Sequence, residues 1–280
     1  MPAPSLLILS DLHLGDRKRG IPTAAKLRPL WRDVDRLILN GDTAELHDPD
    51  CVETAERETR KLVQACREDG VEVCAVAGNH DPFISSLSRL SVREGRVLIT
   101  HGHTIHRLEP RPLVEGQIME SGDEHSMCCE HLLDASALEE SFARARRLIP
   151  PPEELETPRN LLGSVGYAVS RPMVLWKIMR YWRNFPRWSD RYATHLQPAA
   201  QVVLVGHSHR QGIWRVGPRI VVNTGSPTWP GRPWAVRIVE HRVHVHRILR
   251  RHAEWTLDED PVETVDLEPM RLTPSAADAR

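Results

Sequence analysis

Six short apolar runs recur along the chain: Leu6 to Leu9, Leu37 to Leu39, Val71 to Ala77, Val97 to Ile99, Val202 to Val205 and Ile220 to Val222. Each leads into a small polar cluster. In order these are Asp11-Leu12-His13, Gly41-Asp42, Gly78-Asn79-His80-Asp81, His101-Gly102-His103, Gly206-His207-Ser208-His209 and Asn223-Thr224-Gly225-Ser226. Runs rich in valine, isoleucine and leucine that end at glycine, asparagine or aspartate read as buried strands, and ligands of α/β sheets collect at strand carboxyl ends. The pattern predicts one site built from the ends of several strands.

Between the runs, the clearest helix is expected from about Cys51 to Asp69, opened by Asp48-Pro49-Asp50 and stopped by Gly70. Ala235 to Val239 alternates apolar and polar positions and continues in Val243 to Val245, which predicts an antiparallel pair. A segment of roughly 107–198 carries no such cluster and several helical stretches. Both its ends fall beside the predicted site, so it is expected to be a helical insertion acting as a lid on a domain of residues 1–256. The acidic, proline-containing tail of 257–280 is expected to be poorly ordered.

Composition narrows the partners. The 37 Lys and Arg balance 38 Asp and Glu to a net charge of −1, so no global field favours nucleic acid, and a nuclease is disfavoured. The five cysteines form no CxxC pair, and Cys51, Cys66 and Cys74 read as packing residues in a reducing compartment. Leu6 to Leu9 is too short for a signal peptide or span, and a cytoplasmic location is expected. The oligomeric state is not encoded in any pattern.

The clusters carry the residue types that two divalent ions need: about seven or eight donors, with a carboxylate able to bridge the pair. Asp42 is the natural bridge. Asp11 and His13, one residue apart, converge on one ion; His207 and His209 repeat that spacing from another strand; Asn79 and His101 supply an oxygen and an imidazole to the second ion. Oxygen and nitrogen donors without thiolate favour manganese, with iron or zinc as alternatives. Such a pair would acidify a bridging hydroxide and clamp phosphate oxygens, which is the chemistry of phosphoester hydrolysis. His80 beside the ions, with a carboxylate neighbour, suits proton donation near neutral pH.

Five of these clusters, Asp11-Leu12-His13-Leu14-Gly15, Gly41-Asp42, Gly78-Asn79-His80-Asp81, His101-Gly102-His103 and Gly206-His207-Ser208-His209, together resemble the calcineurin-like metallophosphoesterase superfamily. The resemblance implies an α/β fold in four layers, α-β-β-α, with two mixed sheets packed face to face. It implies one metal held by Asp11, His13, Asp42 and His209, and another by Asp42, Asn79, His101 and His207. His80 would stabilise or protonate the leaving group, oriented by Asp81. Within the superfamily the chain is similar to compact bacterial phosphodiesterases through Leu98 to His103, and to UDP-2,3-diacylglucosamine pyrophosphatases through Ser10 to Gly15, Leu39 to Asp42 and the helical insertion. It departs from the pyrophosphatases at His80, where they often carry arginine. The implied substrate is a small phosphorylated molecule, lipid-linked under the pyrophosphatase reading. Some members serve as non-catalytic metal-binding scaffolds, which is the remaining alternative.

Outside the clusters, His103 and His106 read as local hydrogen-bonding groups, and His125, Cys128, Cys129 and His131 as a helix or loop face rather than a zinc site. His244 and His246 are expected to face solvent, and Arg210 to meet a substrate phosphate or solvent. Residues 171–188 mix tryptophan and arginine without an acidic residue, with Val174, Ile178, Tyr181 and Phe185 on one side at helical spacing. Two readings fit: a helix packed on the core with solvated arginines, or a peripheral membrane contact at the inner surface or cover for an apolar phosphorylated ligand.

Overall fold

A computed structural model describes residues 3–16, 20–21, 23–105, 120–123, 132–148, 172–227, 231–251 and 254–269. The six apolar runs form β1 (Leu6–Leu9), β2 (Arg36–Asn40), β3 (Glu72–Val76), β5 (Val97–Thr100), β7 (Val202–Val205) and β9 (Arg219–Asn223). They fall into two sheets. The first is ordered β12-β11-β10-β1-β2-β3, with β10 at Trp234–Val239, β11 at Arg242–Arg251, β12 at Glu254–Leu257, and β13 (Glu263–Asp266) pairing with β11. The second is ordered β6-β4-β5-β7-β9-β8, with β4 at Leu87–Val92, β6 at Glu120–Asp123 and β8 at Gly212–Val216.

Both faces of the central strands are covered, which is why their sequences are continuous apolar runs rather than alternations. In β1, Leu6 and Ile8 point between the sheets, where they join Val97, Ile99, Val202 and Leu204. Leu7 and Leu9 point the other way, toward α1 (Val52–Glu68), α2 (Ala135–Leu148) and a short 3-10 helix at Ala24–Trp31. On the second sheet, Leu98, Val203, Val205 and Val221 face outward onto Phe185 and Ala193 of α3 (Pro172–Leu196). The layers are therefore helix, sheet, sheet, helix. Among the described residues no helix is long and apolar enough to cross a membrane.

Helix α1 ends as its sequence dictates: Gly70 takes φ +74°, its N–H reaches the Arg67 carbonyl at 3.1 Å, and the Val71 N–H reaches Cys66 at 2.8 Å. That glycine-closed turn leads straight into β3. Cys66 and Cys74 are buried in the packing. The antiparallel pair of β10 and β11 forms with Val236 opposite Val245.

Two expectations need correction. The tail is ordered as far as Pro269: β13 pairs with β11, Leu267 is buried, and the Arg96 guanidinium donates to the Glu268 carbonyl at 3.3 Å. Residues 270–280 lie outside the described ones. Nor is 107–198 one helical lid. Its described parts are divided, because α2 buries Leu138, Phe142 and Ala145 against the first sheet's helices, β6 extends the second sheet, and only α3 lies on the second sheet's outer face. His106, His125, Cys128, Cys129 and His131 lie outside the described residues.

Candidate metal centre

The two sheets each contribute a run of parallel neighbours, β1-β2-β3 and β5-β7-β9, so their carboxyl ends lie side by side. Beyond the strands the loops keep pairing. Asp11 N–H donates to Gly41 at 3.0 Å, His13 N–H to Asp42 at 2.9 Å, and Gly206 N–H to His101 at 3.0 Å. Five residues of the clusters then turn into left-handed backbone: Asp11 (φ 52°), His13 (45°), Asp42 (51°), His207 (61°) and His209 (54°). Such conformations cost about 1 kcal/mol or more each in a residue with a side chain, and the turn aims each side chain back toward a common point.

The ligand atoms of Asp11, His13, Asp42 and His209 lie within 4.8 Å of one another, and so do those of Asp42, His101 and His207. Asp42 belongs to both groups. The Asn79 amide oxygen lies 3.2 Å from His101 Nε2, on the side of the second group. Every metal ligand expected from the sequence is thus brought to one place, with Asp11, Asp42 and His101 fully or almost fully buried.

Hydrogen bonds fix which imidazole nitrogen faces the centre. His101 Nδ1 donates to the Asn40 carbonyl at 3.0 Å, which leaves Nε2 aimed at Asp42 Oδ2, 3.1 Å away. His13 Nδ1 donates to Glu45 at 3.0 Å, and its Nε2 meets Nε2 of His209 at 3.2 Å. Two imidazole lone-pair positions turned toward one another beside two buried carboxylates form a donor set suited to a divalent cation, with the outer nitrogens already occupied. The residues therefore fit the metals that the family implies.

In the absence of a cation, protons balance the carboxylates. Burial disfavours a charge on His101, yet the Asp42 carboxylate raises its pKa to about 9. Burial likewise opposes charge on His80, and Glu45 and Asp42 raise it to about 9. The Asp42 carboxyl, against its burial, is held well below the usual range by His101, His80 and His13. Glu45, also buried, is lowered to about 2 by His13 and His80.

The sequence profile of the calcineurin-like phosphoesterase family matches residues 4–211, a stretch that contains every one of these side chains. The chain belongs to that family. No curated protein matches it significantly. Among solved structures, this family member is similar to a conserved protein and predicted phosphoesterase of Streptococcus pneumoniae TIGR4, with 17% identity, TM-score 0.43, and 95% and 99% of the two chains covered. It is also similar to the phosphoesterase Yfce of E. coli (15%, 0.44, 94% and 100%) and to Vps29 of Chaetomium thermophilum (15%, 0.47, 95% and 100%).

The expected partnership of His80 and Asp81 is not what the structure holds. The fully buried Asp81 carboxylate instead accepts the backbone N–H groups of Gly78, Asp42, Thr43 and Ala44 at 3.0, 2.9, 2.7 and 3.1 Å. Burial and the Asp42 charge raise its pKa to about 6 against the pull of those donors. Its role is to hold the β2 and β3 loops together. His80 is oriented by Glu45, whose carboxylate lies 2.8 Å from His80 Nδ1, a contact the cluster pattern did not reveal.

Other supports also went unread. Ser10 donates to Asp11 and meets the Thr224 hydroxyl at 2.5 Å, while Ser226 donates to the Asp11 carbonyl at 3.1 Å. The Asn223 amide donates to Gly206 at 2.7 Å and to Ser208 at 3.0 Å. The Asn223 to Ser226 cluster therefore acts through its side chains. Glycines allow the close fit: a Cβ on Gly41, which sits at φ +78°, would fall 2.4 Å from the His101 ring, and one on Gly206 would fall 2.2 Å from Asp11 Oδ2.

Helix α3 reaches the rim. Trp182 Nε1 donates to the Ser208 carbonyl at 3.2 Å, its ring lies under the Arg210 guanidinium at 5.8 Å, and the Tyr181 ring stands edge-on to His207 at 6.4 Å. Burial and the Asp11 charge push the Tyr181 phenol up. The packed face begins at Tyr181, later than the sequence suggested. Ile178 is 38% exposed, as are Met173 (64%), Trp176 (53%) and Met179 (59%) to a greater degree. The His103 ring lies tilted 5.5 Å from that of His101 and edge-on 6.3 Å from that of His207, whereas His244 and His246 bond to Thr264 and the Asp258 carbonyl rather than facing solvent alone.

Proposed function

We propose that the chain is a phosphoester hydrolase working with two divalent ions, manganese first among the candidates and iron or zinc next. One ion is assigned to Asp11, His13, Asp42 and His209, the other to Asp42, Asn79, His101 and His207. The observation that carries this reading is the pair of ligand groups sharing Asp42. When bound, the ions supply acidification of the attacking water and neutralise charge on the phosphoryl oxygens. The chain's own contribution begins with His80, whose side chain is 32% exposed and holds a proton near neutral pH through Glu45. It is assigned to donate that proton to the leaving oxygen.

The test is turnover of an aryl phosphodiester, an aryl phosphomonoester and a pyrophosphate by manganese-loaded protein. Hydrolysis of one of them, lost in Asp42→Asn, supports the reading. Metal binding without hydrolysis of any leaves the scaffold alternative standing in its place.

A second reading concerns substrate class: a lipid-linked pyrophosphate of the UDP-diacylglucosamine type, met at the inner membrane surface. It is favoured by α3, where exposed Met173, Trp176 and Met179 stand a few turns from Trp182 at the site. Lys177 and Arg180 share those turns and suit an anionic surface. Co-sedimentation with anionic vesicles, reduced by Trp176→Glu, would support it; recovery of the wild-type protein wholly in the supernatant overturns it.

A further inference from the structure

Glu45 lies three residues beyond Asp42, between the two loops that carry His13 and His80. Its backbone is tied to both sides: Glu45 N–H donates to Leu14 at 3.2 Å, and Leu46 N–H donates to the His80 carbonyl at 3.3 Å. Its side chain repeats the bridge. The buried carboxylate accepts Nδ1–H of His13 at 3.0 Å and Nδ1–H of His80 at 2.8 Å, with the His47 N–H at 3.3 Å as a further donor. The two rings so held meet edge to face, with centroids 4.8 Å apart.

We infer that Glu45 is a positioning residue that joins the metal ligand His13 to the proton donor His80, setting the tautomer and direction of both from one carboxylate. The inference rests on the proposed phosphoesterase reading for the role of His80. Its His13 half needs only that a cation binds at Asp11, His13, Asp42 and His209.

The chemistry follows from donor counting. An imidazole that gives Nδ1–H to a carboxylate must present its other nitrogen elsewhere, and a carboxylate on the far side raises the basicity of that nitrogen. For His13 the free nitrogen is Nε2, which already faces Asp42 at 3.9 Å and His209 at 3.2 Å. For His80 it is Nε2, on a side chain that is 32% exposed. The three groups are close enough for a cation to lie among them, but each Nδ1 stands at hydrogen-bond distance from the Glu45 carboxylate and His13 turns its Nε2 to Asp42 and His209. The arrangement therefore fits a shared hydrogen-bond acceptor rather than a third ion.

Glu45→Gln is the informative variant, because its single carbonyl oxygen cannot replace both acceptor positions while the size is kept. In zinc titrations by calorimetry it is expected to retain the wild-type stoichiometry and lose about 10- to 100-fold in affinity. With manganese, kcat should fall by a similar factor of about 10 to 100 while KM stays near wild type. In zinc-loaded protein, the downfield Nδ1–H resonances of His13 and His80 should be present in the wild type and disturbed in the variant. The last measurement on wild-type protein alone keeps the proposal testable should the variant not fold: absence of an Nδ1–H resonance from His13 overturns it. Loss of one zinc equivalent in Glu45→Gln also overturns it, since Glu45 would then be a ligand. Wild-type zinc affinity and kcat in the variant overturn it while leaving the phosphoesterase reading intact. A wild-type protein that hydrolyses no phosphoester, yet loses zinc affinity through Glu45→Gln, defeats the phosphoesterase reading and sustains the His13 half.

Discussion

Asp81 Oδ1 accepts the backbone N–H of Asp42 at 2.9 Å, so one buried acid holds another in place through the main chain. Since Asp42 adopts φ 51°, that bond steadies a turn the backbone would otherwise avoid. Asp81→Ala would strand four buried N–H donors, and each unsatisfied group costs about 1 to 3 kcal/mol before water or relaxation offsets it. A net loss of about 3 kcal/mol in denaturant unfolding of the metal-free protein is expected. An unfolding midpoint equal to wild type would remove the role assigned to Asp81.

Metal affinity should rise with pH. In the metal-free protein His101 and His80 carry raised pKa values of about 9, so His101 is protonated at neutrality and must release that proton to bind a cation. Below about pH 9, apparent affinity should fall on the order of tenfold per pH unit for each proton displaced. Calorimetry in buffers of different ionisation enthalpy counts the protons directly. The sign for stability without metal is the opposite: with the folded pKa above the ordinary 6.5, the stabilisation is complete below pH 6.5 and lost as pH rises through about 9. Affinity that does not change between pH 6.5 and 8.5 would contradict this account.

Gly206→Ala should empty the Asp11 side of the centre. The added methyl would lie 2.2 Å from Asp11 Oδ2 and 2.6 Å from Ser10 Oγ, and neither group can retreat, because both are buried and bonded to the strand ends. Elemental analysis is expected to find at most one bound ion per chain. Two ions in the variant would show that the loop has room to spare.

Trp182→Ala removes both the hydrogen bond to Ser208 and the ring beneath Arg210. If α3 covers an extended substrate, kcat/KM for a long apolar phosphoester should drop more than that for a small aryl phosphate. Equal losses on the two substrates would restrict Trp182 to holding the His207 to His209 loop.

The strands that carry the centre were legible because they are buried on both faces, so β1, β2, β5 and β7 appear as unbroken apolar runs. Strand β6, Glu120–Asp123, has no such run; it joins the sheet through its parallel pairing with β4. In β4, polar Ser88, Arg89 and Ser91 interrupt the apolar positions, which hid it as well. The candidate ligands stood out because each follows its strand within a few residues. Asp81 was misread for the same reason: adjacency to His80 along the chain suggested contact, whereas Asp81 accepts the backbone N–H groups of Gly78, Asp42, Thr43 and Ala44 and His80 pairs with the Glu45 side chain. Glu45 escaped because its partners His13 and His80 are distant in sequence and meet it only after β1, β2 and β3 align. The division of 107–198 between opposite faces was equally invisible, since an amphipathic helix such as α2 or α3 does not encode which sheet it will cover.

The left-handed turns at Asp11, His13, Asp42, His207 and His209 set function against durability. At His209, whose side chain is 37% exposed and whose φ is 54°, glycine would relax the main chain while deleting a donor, so that variant is expected to melt later than the intact protein when no cation is supplied. Selection for heat resistance alone would thus erode this centre, and only a requirement for its chemistry keeps such unfavourable turns in the fold.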